Sequence, residues 1–215
     1  MNIVERIDSE IEKRSLLKHP FYQMWLEGKL TIDHLKGYSK EYFQLVKAVP
    51  GFVENIASAA PVDDRNIAGN AKEEAEHVSP WIRFANSLGV DSAELQSYSG
   101  DEKSNAAVEA LQKLSLSSFE TAVAAMYAYE AELPKLSRTK IDGLKKFYGL
   151  ASKDATEYFE IHEEADVRHA QVWRDILQRV PPERQDAAVN AAVESLTAQN
   201  LLLDSVQEKY VGMAC

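Results

Sequence analysis

Three kinds of residue are scarce in this sequence of 215, and each scarcity excludes something. There is a single cysteine, Cys215. No disulfide can form within the chain, so a reducing compartment suits it best. There are only nine glycines and seven prolines, which argues against a loop-rich or linker-divided chain. A single domain spanning 1–215 is expected, large enough to bury a core without staples. Long apolar runs are also missing. Nothing approaches the roughly 20 consecutive apolar residues of a membrane span. Met1-Asn2-Ile3-Val4-Glu5-Arg6 has no apolar run behind it, so no secretory signal is expected. Basic residues are outnumbered, 24 Lys and Arg against 34 Asp and Glu, for a formal net charge of -10. Without a basic patch, such a chain repels nucleic acid. A cytoplasmic protein with no membrane or nucleic-acid partner is expected.

What is abundant is helix-forming residues. Alanine, leucine, glutamate and lysine dominate, apolar residues recur at period 3.6, and no run alternates at period 2. Helices are expected at about 2–15, 20–27, 32–59, 63–88, 105–133, 136–148, 153–179 and 183–210. Thr31 and Asp33 suit a helix start, Pro50 predicts a kink, and Gly89-Val90-Asp91 reads as a C-cap and turn. Pro134 marks a break after Glu130, and Pro182 fits a first helical position. The fold class is therefore all-α, one helical bundle of seven to eight helices.

Residues three and four apart share a helix face, so each long helix has a stripe. One stripe runs Leu116, Phe119, Val123, Met126, Glu130, Leu133. Another runs Phe159, His162, Asp166, His169, Trp173, Ile176, and a third Ile67, Asn70, Glu74, His77, Trp81, Phe84, Leu88. Carboxylates and imidazoles thus take slots where apolar residues belong. Burying a lone carboxylate costs several kcal/mol or forces its protonation. Three carboxylates and three imidazoles on three helices are intelligible if they surround divalent cations. With no thiolate among them, iron or manganese fits better than calcium. Inward carboxylates and a Glu-x-x-His spacing, here Glu74-Ala75-Glu76-His77, resemble the di-metal sites of helical bundles. Simpler readings exist for the members taken singly. His77 alone fits a hydrogen-bonded histidine, Glu130 alone fits an arginine partner, and 162–169 fits a solvated face beside Glu160, Glu163, Glu164 and Arg168. Those charges, however, occupy other faces of the helix.

Longer motifs carry a resemblance. His162-Glu163-Glu164-Ala165-Asp166-Val167-Arg168-His169-Ala170 is one. Tyr127-Ala128-Tyr129-Glu130 before Leu133-Pro134, with Lys140-Ile141 and Gly143-Leu144 following, is a second. Phe21-Tyr22 and Trp25, then Gly28, Leu30-Thr31, Tyr38, Lys40 and Tyr42, are a third. In this order, over roughly 15–180, the chain resembles the family of the chlamydial death-domain-associating protein and its bacterial relatives. The resemblance implies a heme-oxygenase-like helical fold, shared with thiaminase-like and pyrroloquinoline-quinone-synthase-like proteins. It implies two metal ions, Fe/Fe or Fe/Mn, held by Glu130, His162, Asp166 and His169 with a Glu and a His from an earlier helix. The family spaces that pair two turns apart, whereas Glu74 and His77 are one turn closer, which leaves Glu73 as the alternative to Glu74.

The activity implied is a self-sacrificing p-aminobenzoate synthase serving folate biosynthesis, with molecular oxygen as co-substrate and an external reductant. Tyr22 matches the tyrosine consumed, Lys140 the lysine that supplies nitrogen, and Tyr38 and Tyr42 neighbours that relay electrons or protons. A homodimer is a family expectation. From the residues alone, Tyr22 equally fits a core aromatic. Lys140, among Lys135, Arg138, Lys145 and Lys146, fits a solvated basic face. Competing functions are a cofactorless oxidase, a thiaminase-like hydrolase and a non-enzymatic interaction protein. The hydrolase needs a cysteine nucleophile, and Cys215 is poorly placed for one. A heme protein ligated by His19 is the weakest alternative.

Overall fold

A computed structural model of the chain describes residues 1–61 and 65–212; Cys215 lies outside them, as does the expected helix start at 63. Among the described residues there are ten α-helices and no strands. They are α1 (Ile3–Lys13), α2 (Pro20–Leu26), α3 (Ile32–Ala59), α4 (Arg65–Ser87), α5 (Ser92–Ser97), α6 (Glu102–Ser115), α7 (Phe119–Glu130), α8 (Leu133–Phe147), α9 (Lys153–Leu177) and α10 (Pro182–Val206). A 3-10 turn at Leu16–Lys18 precedes α2, and a π-helical turn at Gln207–Val211 follows α10. No described helix is long and apolar enough to cross a membrane.

Local chemistry explains most boundaries. Thr31 and His34 form a reciprocal capping box at the start of α3, and Ser152 caps α9. Gly89, at φ 87°, ends α4 with its N–H on Asn86 O and the N–H of Val90 on Ala85 O, a Schellman closure. Pro134 lies in the first turn of α8, where its missing N–H costs nothing. α3 continues through Pro50 to Ala59.

Two differences from the expected elements have physical causes. Asp91 caps Ala93 and Glu94, so the turn after Gly89 leads into the short α5. The stretch expected as one helix at 105–133 is two. Leu116 closes α6, and Ser117 and Ser118 use their side chains on Leu114 O and Thr121. Leu116 is 64% exposed and is not part of the α7 stripe.

α9 packs against α4, α7 and α8, while α3 packs against α4. The three helices bearing carboxylates and imidazoles, α4, α7 and α9, thus meet beside α8. One close approach brings α2 to α8. A Cβ on Gly143 would lie 2.5 Å from Trp25 Nε1, so only glycine lets these helices come this near. Tyr22 and Lys140 each stand three residues before that contact.

Candidate metal centre and its aromatic flank

The six stripe residues converge. Glu74, His77, Glu130, His162, Asp166 and His169 are all buried. Ligand atoms of Glu74, His77 and His162 lie within 4.8 Å of one another, and so do those of Glu74, Glu130 and His169. Glu74 belongs to both groups. Its Oε2 is 3.3 Å from His77 Nδ1 and 4.0 Å from His162 Nε2, and its Oε1 is 3.3 Å from His169 Nδ1. Asp166 Oδ1 lies 3.6 Å from the same nitrogen. Glu73 is in neither group; its side chain is 40% exposed, and it bonds His169 Nε2 and Arg168.

Outer contacts orient these side chains. His162 Nδ1 donates to Tyr158 O at 2.6 Å, which leaves Nε2 facing Glu74. Trp173 Nε1 donates to Glu130 Oε2 at 2.5 Å. Both Asp166 oxygens, Glu130 Oε1 and His169 Nδ1 are buried without a hydrogen-bond partner. Orphaned buried atoms of this kind are rare and call for an explanation.

Electrostatics point the same way. Burial, then the Asp166 charge, pushes the Glu130 carboxyl well above the usual carboxylate range. Burial also raises Asp166. Burial works to raise Glu74 too, but the imidazoles of His169 and His77 beside it hold its carboxyl low. Burial works against charge on His169, yet the neighbouring carboxylates of Asp166 and Glu74 push it up to about 11. The cluster retains protons where cations would satisfy it. The orphaned atoms and the carboxylate–imidazole donor set therefore fit a pair of metal ions, and the absence of thiolate fits iron or manganese.

Lys140 is buried, unlike the exposed Lys135, Arg138, Lys145 and Lys146, so the solvated-face reading does not hold for it. Its Nζ lies 5.3 Å from the ring centre of Tyr22, 5.6 Å from Tyr38, 5.3 Å from Tyr42 and 5.2 Å from Phe159. Burial pulls its ammonium down to about 7, with the Asp166 charge opposing. Tyr22 and Tyr38 hydroxyls are 3.4 Å apart. Burial raises both phenols well above their usual value and pushes Tyr42 up to about 12. Tyr42 stacks on Trp81 at 5.1 Å, Trp81 meets Tyr158 edge-on at 4.6 Å, and Tyr158 lies 4.1 Å from the His162 ring. Rings thus run without a gap from the lysine pocket to the imidazoles.

Trp81, Phe159 and Trp173 stand in the stripes only as apolar neighbours, and Tyr158 lies outside them. The position of Tyr158, four residues before His162, was the available signal. His19, the residue weighed for heme, caps α2 through Nδ1 and meets Asp204 through Nε2 at 3.1 Å.

Fold and site define a helical protein with a buried carboxylate–imidazole cluster suited to metal. The profile of a family described as iron-containing redox enzymes matches residues 68–200. A 4-aminobenzoate synthase of Chlamydia muridarum (strain MoPn / Nigg) is 32% identical over 224 residues, covering 100% of this chain and 94% of that one. One of Nitrosomonas europaea is 31% identical, covering 96% and 91%. Among solved structures, a TenA homologue of Pseudomonas syringae superposes with TM-score 0.81 at 16% identity, covering 96% of this chain and 93% of that one. A Shewanella denitrificans domain with a heme oxygenase-like fold gives 0.74 at 18%, covering 99% and 93%. The chain belongs to the iron-containing redox enzyme family, has the heme oxygenase-like fold, and is an enzyme.

Proposed function

We propose that the chain makes 4-aminobenzoate from its own Tyr22, with Lys140 as amine donor. The observation that carries this reading is the buried Lys140 among Tyr22, Tyr38 and Tyr42, beside the carboxylate–imidazole cluster. The relatives named 4-aminobenzoate synthase support the product. The carbon skeleton supports the source. 4-Aminobenzoate is a benzene ring with a carboxyl carbon opposite a nitrogen, and tyrosine is a ring with Cβ opposite an oxygen. Cleavage of Cα–Cβ, oxidation of Cβ to carboxyl, and exchange of the phenol oxygen, lost as water, for the Lys140 nitrogen, with the lysine Cε–Nζ bond broken and Cε left as an aldehyde, convert one to the other. Dioxygen is the oxidant, and an external reductant supplies the balance of electrons.

Glu74, His77, Glu130, His162, Asp166 and His169 would hold two ions, Fe/Fe or Fe/Mn. When bound, such a pair supplies oxygen activation. The chain's own groups do the rest. The packed helices exclude water. A Lys140 with its ammonium pulled down to about 7 is partly a neutral, nucleophilic amine near neutrality. Tyr38, 3.4 Å from the Tyr22 hydroxyl, is placed to take or return its proton, and Tyr42 continues the ring contacts toward Trp81.

Protein grown with 15N-lysine and unlabelled tyrosine tests this after loading with iron, dioxygen and a reductant. The expected result is 15N in the 4-aminobenzoate, with mass lost at Tyr22 and Lys140. Product formed while both residues keep their mass overturns the assignment.

A further inference from the structure

Three inward side chains of the cluster are oriented by contacts on their outer sides. For His162 the contact is the Tyr158 carbonyl, and for Glu130 the Trp173 indole, both within the core. For His169 it is a carboxylate at the protein surface. His169 Nε2 lies 3.1 Å from Glu73 Oε2, and Arg168 Nη2 lies 3.1 Å from the same oxygen. Glu73 and Arg168 line a surface cavity with Glu76 and Glu164. A carboxylate only accepts, so the ring nitrogen facing it carries the proton. The other nitrogen, Nδ1, then points inward, unpartnered and 3.3 Å from Glu74 Oε1.

We propose that Glu73, steadied by Arg168, is a positioning residue that holds His169 with Nδ1 toward the Glu74–Glu130 group. It thereby completes one of two metal positions and leaves the other, at Glu74, His77 and His162, untouched. This rests on the reading of the cluster as a two-metal centre. It gives Glu73 a place outside the ligand set. Loss of such an outer partner typically weakens metal binding about 10–100-fold.

Mn2+ titration of metal-free full-length protein, followed by equilibrium dialysis, tests it without any turnover. Wild type is expected to bind two ions. Glu73→Ala should bind the first as wild type does and the second at least about 10-fold more weakly. Glu73→Gln should restore most of the second affinity, because its amide oxygen accepts the same bond. A Glu73→Ala protein that binds both ions like wild type overturns the proposal. So does equal loss at both positions that Glu73→Gln does not rescue, which would mark a general charge effect. The melting temperature of each metal-free variant, expected to be near wild type, separates misfolding from lost binding. Wild type that binds no second ion overturns the two-metal reading itself, and with it this role for Glu73.

Discussion

Two glutamates of this chain are equally inaccessible to water and entirely unlike in their surroundings. Glu41 on α3 and Glu130 on α7 are 0% and 1% exposed. Glu41 is saturated. Its Oε1 accepts from Tyr98, from Lys209 Nζ at 3.0 Å and from Tyr210 at 3.2 Å, and its Oε2 accepts from the Asp101 N–H at 2.8 Å. Burial alone would raise its carboxyl, but these donors hold it below the usual range. Glu130 has one donor, Trp173, one orphaned oxygen, and Asp166 as an unfavourable neighbour. The first ties the turn after α10 to α3; the second is incomplete as it stands. Burial therefore does not identify a functional carboxylate. Burial without satisfaction marks Glu130 as a candidate.

The widest separation should appear in stability of the metal-free protein at neutral pH. Glu41→Gln puts an amide NH2 against groups that donate, and is expected to cost about 3 kcal/mol. Glu130→Gln replaces a carboxyl already biased toward its neutral form, and should match or exceed wild type. Urea unfolding midpoints read both. Equal costs would break the contrast. A second, smaller effect follows on adding Mn2+ or Fe2+. An ion at 100 times its Kd stabilises the folded state by about 2.7 kcal/mol. Wild type and Glu41→Gln should both gain it. Glu130→Gln should gain less, having lost a member of one ligand group. An undiminished gain in Glu130→Gln would remove Glu130 from the site.

The contrast also shows what could be read without coordinates. Glu130, Glu74, His77, His162, Asp166 and His169 announced themselves because each takes an apolar slot in a local repeat, and the structure gathers all six. The helices were legible through the same period and through local caps such as Thr31 and Ser152. Glu41 was not legible, since its partners come from 98, 101, 209 and 210, and no short window holds them. Burial of Lys140 was hidden for a similar reason. Its neighbours in sequence are solvated bases, and its cage comes from α2, α3 and α9. The split between α6 and α7 escaped because Leu116-Ser117-Ser118 is compatible with helix until the Ser117 and Thr121 hydroxyls are seen to bond the Leu114 and Ser118 carbonyls.

The smallest effect, and the most diagnostic in sign, is the pH dependence of the metal-free protein. The Glu41 carboxyl is held below its usual value of 4.5. Between the folded and the unfolded value the unfolded chain binds the extra proton, so stability rises with pH there. The advantage of wild type over Glu41→Gln should be full above about pH 5 and fade as pH falls below about 4. The Glu130 carboxyl is pushed the other way, above 4.5. In its window the folded chain holds the extra proton, so stability falls as pH rises. Wild type relative to Glu130→Gln should therefore lose ground from about pH 5 upward until the folded value is passed. The two difference curves slope in opposite directions, at no more than about 1.4 kcal/mol per pH unit. Urea unfolding of the three proteins between about pH 2 and pH 8 measures both. Slopes of the same sign would mean that the two carboxylates, for all their difference in partners, are held alike.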